Sequence, residues 1–368
     1  MVTSRRPFVV REHVPLDSLC TLGVGGAARW FARADRNEDV RAIHQWCSGH
    51  DIPLFVLGGG SNLVVSDDGF DGLVLAMAVT GVSMTRVSGT GDTIVKAGAG
   101  ESWDTLVQTV VGQDLSGVEC LSGIPGTVGG TPIQNVGAYG QEVSSVIARV
   151  TVFDRSTNEL LEMSPADCRF SYRMSRFKTD DAGRFIVCGV SFRLSHSTPS
   201  LTYPDLVAEL ERRAVRHPIP LDVRDAILTI RRRKGMVLDP ADPDTRSVGS
   251  FFMNPVVTPD DRERIASLAG DKVPGFTMAD SRVKIPAAWL IERSGVRKGS
   301  GEPTVGLSAK HPLAIVNRGG ATSSEVVAFA AKVKRAVLEW CGVWLRPEPV
   351  FVGLDENEDV KFLQKARG

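Results

Sequence analysis

The sequence predicts an α+β fold, on three observations. Strand-like and helix-like apolar patterns come in runs rather than in strict alternation. Two segments are dominated by glycine and turn formers, and a small polar stretch at residues 195–200 (SHSTPS) separates two textures of chain. At 368 residues the chain exceeds one ordinary core, so two domains are expected, enough to enclose a ligand cleft.

The elements follow in order. Residues 37–48 (NEDVRAIHQWCS) read as a helix, because Val40, Ile43 and Trp46 or Cys47 share a face. The strand IPLFVLG runs into GGGSN, and short strands LVVS, GLVLAM and TIVKAGAG follow, the last with Thr93, Val95 and Ala97 alternating. SWDTLVQTVVGQ reads as a helix, residues 116–140 as a glycine-rich segment, and RVTVFDR and RFIVCGVSFRLS as strands. Beyond the polar stretch, residues 206–216 and 223–234 form amphipathic, Arg-rich helical patterns. PAAWLIERSG and SSEVVAFAAKVKRAVLEWCG are helical patterns around a short strand, LAIVN, with RKGSGEPTVG as a loop. The tail LDENEDVKFLQKARG reads as a solvated terminus, and no internal repeat is present.

Composition excludes several classes. A hydrophobic share of 42% with 23% charged residues is that of a globular chain, not a disordered or membrane-spanning one. Lys plus Arg equals Asp plus Glu at 43 each, so no global field attracts nucleic acid or an acidic membrane, and neither partner is expected. The six cysteines contain no CxxC pair, which predicts buried free thiols rather than a zinc site or disulfide framework. The six histidines show neither HExxH nor paired spacing, so no metal is expected. Arg5-Arg6 precedes an apolar run of only Phe8 to Val10, too short for an export signal, and a cytoplasmic location is expected.

Two patterns carry no chemistry. Residues 23–28 fit GxGxxA, but no strand is predicted before them and no helix directly after, against a dinucleotide fingerprint. No Gly-Lys-Ser/Thr follows any glycine run, so there is no P-loop. More informative is the segment Gly58, Gly59, Gly60, Ser61, Asn62. Glycines let backbone N–H groups approach phosphate oxygens, and Ser61 and Asn62 add side-chain donors; a plain strand-to-strand turn is the alternative. Residues 122–140 (SGIPGTVGGTPIQNVGAYG) hold six glycines and two prolines in nineteen positions, longer and more constrained than an ordinary connection. Together they suggest two glycine-rich walls gripping a pyrophosphate.

In this order LGGGSNLVV, SGIPGTVGGTPIQNVGAYG, SYRMSRFK, VGSFFMNP and WLRPEPVFVG resemble the signature segments of the UDP-N-acetylenolpyruvoylglucosamine reductase family, over residues 21–353. The resemblance implies an FAD-binding region of the vanillyl-alcohol-oxidase/PCMH type (two lobes), over residues 1–198. It is followed by a smaller α+β substrate-binding domain over residues 199–368, whose terminal segment around Glu348 returns to the active site. It also implies noncovalent FAD, NADPH as reductant, a small-molecule substrate (UDP-N-acetylglucosamine enolpyruvate) and a monomer. The cofactor-binding residues it implies, beyond those of residues 58–62, are Ser122, Gly123, Ile124, Pro125, Gly126, Gly129, Gly130, Asn135, Gly137, Ala138 and Tyr139.

Reducing an enolpyruvyl ether sends hydride to the terminal methylene and leaves negative charge on the carbon bearing the carboxylate. A cation and an acid beside the carboxylate oxygens, and a proton donor to the carbon, are therefore required. By the resemblance Arg173 is the cation, Glu348 the acid and Ser250 the proton donor. A serine can serve because proton transfer to a carbanion runs downhill. Tyr172, Tyr203, Lys234 and Asn254 are implied as substrate-binding, Tyr203 on a loop that closes over the nucleotide sugar. Taken alone, these residues also read as a surface arginine, a helix cap, a turn carboxylate and, for residues 231–234, a solvated helix face on which at least two charges serve no ligand. The insertion VLDPADPDTRS departs from the family pattern before Ser250. Two further readings stand beside the reductase: a flavin oxidase of the same superfamily, and a non-catalytic nucleotide-sugar-binding protein.

Overall fold

The computed structural model describes residues 8–366, so the basic opening Arg5-Arg6 lies outside the described residues. The chain divides into two compact units.

The first unit comprises the described residues up to Val14, Ala28–Gly60 and Asp71–Val237. One sheet has the strand order Val10–Pro15, Ala27–Ala34, Phe70–Met77, Leu54–Leu57, with the last two parallel in the register Leu54 to Leu73. The second is five-stranded and antiparallel, in the order Glu159–Met163, Ile147–Asp154, Phe185–Leu194, Thr93–Gly98, Val82–Arg86. Its alternation works as read: Val95 and Ala97 are buried while Lys96 between them is exposed. The helix Trp103–Val111 buries Trp103, Leu106, Val107 and Val110, and Trp103 packs 5.7 Å from the Phe192 ring while its indole N–H donates to Leu121 O at 3.1 Å. This satisfies the one polar atom of a large side chain in the core.

The helices Pro204–Arg212 and Pro220–Arg233 belong to this unit, not to the second. Leu206, Leu210, Val223, Ile227 and Ile230 pack together with Cys120, two residues before Ser122. The polar stretch expected to part the domains is tied down here as well: Ser116 N–H donates to Ser195 O, and Ser116 Oγ to Ser197 O at 2.6 Å. The expected division at residue 198 therefore differs from the compact units, which part after Val237, because the apolar face of this helix pair is buried on residue 120.

The second unit comprises Pro15–Ala27, Ser61–Phe70 and the chain from Leu238 onward. A three-stranded sheet, Ser247–Ser250, Ala314–Asn317, Val305–Leu307, lies beside a small sheet of Val256–Val257, Val283–Lys284 and Phe276–Thr277 within this unit. The helix Ser323–Cys341 is capped as its sequence asks: Thr322 Oγ1 accepts from Glu325 N–H and the Glu325 carboxylate accepts from Thr322 N–H. Val350–Val352 pairs parallel with Leu63–Val65, which carries the C-terminal segment back to the residues that follow the first glycine run.

Three elements differ from the sequence reading. Residues 23–26 lead into the strand Ala27–Ala34, which the sequence reading did not identify, and a Cβ on Gly26 would stand 2.3 Å from Asp67 O, so this glycine serves close packing. Pro259–Ala269 is a helix that the charged surface pattern concealed; only Ile265 of it is buried. The tail is not simply solvated: Glu358–Gln364 is a helix that buries Val360 and Leu363. Its terminal carbonyls are gathered by Lys334, wholly buried, whose ammonium donates to Phe362 O, Leu363 O and Lys365 O at 3.0, 2.7 and 2.7 Å.

Candidate functional site

In the first unit the strand Leu54–Leu57 ends in Gly58, Gly59 and Gly60, and these meet the second glycine-rich segment directly. A Cβ on Gly59 would lie 2.6 Å from Gly126 Cα, and one on Gly58 2.9 Å from Thr127 Oγ1. Only glycine permits two backbones to run this close. Around them Trp103 N–H donates to Gly126 O, Gly129 N–H to Ala99 O, and the short helix Gly130–Gln134 begins. The two glycine walls expected from sequence are thus adjacent.

A buried polar frame stands behind the walls. Glu119, 1% exposed, accepts from Gly117 N–H at 2.6 Å and Gln141 Nε2 at 2.8 Å, while Gln141 Oε1 accepts from Cys120 N–H at 2.8 Å. Asn135, left-handed at φ 45°, is fully engaged by protein: its Nδ2 donates to Glu142 Oε2 and Ser171 O, and its Oδ1 accepts from Ser144 N–H. Its side chain therefore shapes the segment and joins it to the SYRMSR turn. That turn closes by reciprocal Ser171 and Met174 backbone bonds of 3.0 Å, and Arg173 at its tip has φ 57°. Arg173 Nη2 donates to Gly137 O at 2.7 Å, and its guanidinium stands 5.4 Å from the Tyr172 ring centre. A non-glycine residue held left-handed and pinned to carbonyls is placed, not loose on the surface.

Tyr139, also left-handed at φ 50°, packs edge-on against Tyr203 with ring centres 5.2 Å apart. Lys234 Nζ lies 5.7 Å from the Tyr139 ring centre and 2.8 Å from Asp205 Oδ2. Burial alone would lower the Lys234 pKa, but the Asp205 pair outweighs it and the ammonium is held above its ordinary value. Burial likewise pushes the Tyr139 hydroxyl up. Of the basic run 231–234, Arg232 is exposed and Arg233 pairs with Glu209 at 2.6 Å, as a solvated face would have it, whereas Arg231 is buried against Gly123 O. The sequence reading passed over Asp104, Glu119 and Arg224 and took Arg231 with the solvated basic run. Arg224 was legible, since position 224 shares a helical face with Ile227.

In the second unit Ser250 ends the strand Ser247–Ser250, and the next residue, Phe251, accepts the N–H of Glu348 at 2.8 Å. Phe252 bridges Pro347, and Met253 N–H donates to Arg346 O, so the SFFM and RPEP motifs run side by side. Asn62 Nδ2 donates to Glu348 O at 3.2 Å. Within the second unit Asn62, GSFFMNP and RPEP therefore meet around Glu348. Asn254 Oδ1 accepts from Ala287 N–H at 2.9 Å, in the first turn of the helix Ala287–Arg293. The insertion 237–247 closes on itself, Thr245 Oγ1 donating to Asp239 O and Asp242 O, and Lys310 bonds Asp242.

The residues of the first unit fit FAD. A Cβ on Gly58, Gly59 or Gly129 would stand only 2.9, 2.6 or 2.7 Å from its nearest neighbour, and two buried donors near them, Arg231 Nε and Gln134 Nε2, have no acceptor among the described residues. Unsatisfied buried donors are costly, and a ligand rich in phosphate and carbonyl oxygens would satisfy them.

Comparison with known proteins agrees. An FAD binding domain profile matches residues 28–164, and the profile of the UDP-N-acetylenolpyruvoylglucosamine reductase C-terminal domain matches residues 240–352. The UDP-N-acetylenolpyruvoylglucosamine reductase of Thermobifida fusca is 48% identical, over 93% of this chain and 98% of the relative. That of Mycobacterium marinum is 45% identical over 94% and 95%. The crystal structure of the enzyme from Thermus caldophilus superposes with a TM-score of 0.64 at 25% identity, covering 94% of this chain and 99% of that one. Fold and site thus define an FAD-dependent oxidoreductase with an α+β fold and an FAD binding domain. Within that class the chain belongs to the UDP-N-acetylenolpyruvoylglucosamine reductase family.

Proposed function

We propose that the chain reduces UDP-N-acetylglucosamine enolpyruvate to UDP-N-acetylmuramate with electrons from NADPH, a step of peptidoglycan precursor synthesis, and that Arg173, Ser250 and Glu348 carry the chemistry. The observation that supports this most is the pinning of the Glu348 N–H to Phe251 O, which sets the GSFFMNP and RPEP motifs side by side. FAD held by residues 58–62 and 122–139 would supply the two-electron chemistry that carries hydride from NADPH to the terminal methylene carbon of the substrate.

Each residue then has a task its surroundings support. Glu348 sits between Pro347 and Pro349, which fix the backbone on both sides, so its carboxyl group is positioned as the acid beside the substrate carboxylate. Arg173, braced by Gly137 O, holds a permanent positive charge for the same oxygens, where charge grows as hydride arrives. The Ser250 hydroxyl gives its proton to the carbon that bears the carboxylate. Lys234 and the amide of Asn254 hold the diphosphate and uridine, and Tyr172 and Tyr203 complete the substrate contacts. Gly58, Gly59, Gly60, Ser61 and Asn62, with the segment from Ser122 to Tyr139, hold FAD through backbone donors.

By this reading the FAD-binding work falls mainly to the first part of the chain and substrate binding to the second, with the helices up to Val237 shared. The protein acts as a monomer in the cytosol. All six cysteines are free and buried, which suits a reducing compartment, and among the described residues no helix is long and apolar enough to cross a membrane. The experiment is anaerobic titration of the purified flavoprotein. NADPH should bleach the flavin, and UDP-N-acetylglucosamine enolpyruvate should restore it. A flavin that NADPH leaves yellow, or that only oxygen restores, overturns the proposal.

A further inference from the structure

The glycine-rich segment is held in shape by two side chains that none of its motifs contains. Gly123, at φ 71°, is gripped on both sides of its residue. Its N–H donates to Asp104 Oδ1 at 2.6 Å, and its carbonyl accepts from Arg231 Nη2 at 3.3 Å. Asp104 is in turn clamped by Arg224, whose Nη1 and Nη2 reach its two oxygens at 2.6 and 2.9 Å. Arg224 is 6% exposed, and Arg231 also donates to Met236 O at 2.6 Å. A Cβ on Gly123 would lie 2.8 Å from Leu228 Cδ2. Positions 224, 228 and 231 fall on one face of the helix Pro220–Arg233, so this helix and the helix Trp103–Val111 together fix one residue of the cofactor segment.

We propose that Asp104 and Arg224 are positioning residues for FAD, acting through the Gly123 peptide. Glycine at positive φ has several backbone orientations of similar energy, so the direction of its N–H must be set from outside. A carboxylate sets it by a charge-assisted bond, and a bidentate guanidinium fixes the carboxylate in plane. Arg224 has a second role. Without it only Arg231 would remain to offset the negative charge of Asp104 beside a segment built to receive phosphates. The electrostatics agree: burial alone would raise the Asp104 pKa, yet Arg224 and the Gly123 N–H outweigh it and hold the carboxyl below its ordinary range. Gly123→Ala would act on the same point from the other side.

This inference rests on FAD lying against residues 122–126, and its test separates the two claims. Apoprotein is prepared by acid-ammonium sulfate treatment and titrated with FAD, following flavin fluorescence and the visible absorption envelope, with apoprotein melting measured in parallel. Arg224→Met should raise the FAD Kd about tenfold or more and alter the absorption envelope. Arg224→Lys should recover part of the loss. The double variant Asp104→Asn with Arg224→Met should bind FAD better than Arg224→Met alone, because the negative charge is gone. A fall in melting temperature with Kd and envelope unchanged assigns the pair to folding only and overturns the proposal. Should Arg224→Met not fold, Asp104→Asn stands in for it, and an FAD Kd within about twofold of wild type there has the same meaning. Wild-type apoprotein that takes up no FAD overturns the flavin reading itself, not the pair's role alone.

Discussion

Lys234 Nζ and Asp205 Oδ2 lie 2.8 Å apart, a pair that closes the end of the helix Pro220–Arg233 onto the first turn of Pro204–Arg212. With Lys234 assigned to the substrate diphosphate, Asp205 occupies the ammonium that the ligand needs. A diphosphate bound there would compete with that carboxylate for the ammonium. Both side chains are substantially exposed, so the pair contributes at most about 1 kcal/mol. Asp205→Asn should accordingly tighten UDP-N-acetylglucosamine binding by up to about fivefold, whereas Lys234→Ala should weaken it roughly tenfold or more. Isothermal titration checks both, with flavin content unchanged in each. Weaker binding in Asp205→Asn would assign Asp205 a direct ligand contact instead.

FAD should be held without a covalent bond, and acid precipitation of the yellow protein should leave it in the supernatant. Gly59→Ala places a methyl 2.6 Å from Gly126 Cα, where backbone rather than a flexible side chain must yield. Forcing these walls apart should cost about 1–3 kcal/mol. The ratio of flavin to protein absorbance in the purified variant should fall severalfold. Full flavin occupancy would mean that the walls do not hold the cofactor.

The C-terminal helix gives a pH signature. Burial lowers the Lys334 pKa from 10.5 to about 8, so between about pH 8 and 10.5 the unfolded chain binds a proton that the folded one does not. Stability from this group therefore rises with pH across that window; below pH 8 both states are charged and the cost of burying the ammonium is present in full. Lys334→Met removes the titration. Urea midpoints at pH 7.5 and 9.5 should show wild type gaining on the variant at the higher pH. A gap that stays constant would show that Lys334 is not depressed.

Much of this was legible because local signals agreed with the fold. Residues 37–48 gave a helix, Val95 and Ala97 gave a buried strand face, and glycine marked both walls at Gly59 and Gly126, where the approach of two backbones tolerates nothing larger. The catalytic motifs were legible only as a resemblance, since nothing local in Ser250 or Glu348 says that their backbones run side by side. What stayed hidden depends on long-range partners. Arg231 reads as one more surface charge until Gly123 O and Met236 O are known to accept from it. The tail helix Glu358–Gln364 has a charged sequence, and its docking depends on Lys334, some 28 residues earlier. The polar stretch 195–200 looked like a domain boundary because exposed composition and boundary composition are the same, and only the burial of Leu206, Ile227 and Cys120 together moves the division to Val237.

The central claim is that Ser250 supplies the proton to the substrate carbon, and stopped-flow absorbance of Ser250→Ala tests it most directly. Flavin reduction by NADPH needs no such donor, and loss of one hydroxyl should leave folding nearly intact. The reductive half-reaction should therefore run at close to the wild-type rate. Mixing the prereduced variant with UDP-N-acetylglucosamine enolpyruvate under anaerobic conditions should give flavin reoxidation slowed by roughly 10²- to 10⁴-fold. Reoxidation at the wild-type rate would contradict the assignment, and slowing of both halves alike would make Ser250 a residue that shapes the cleft rather than one that gives a proton.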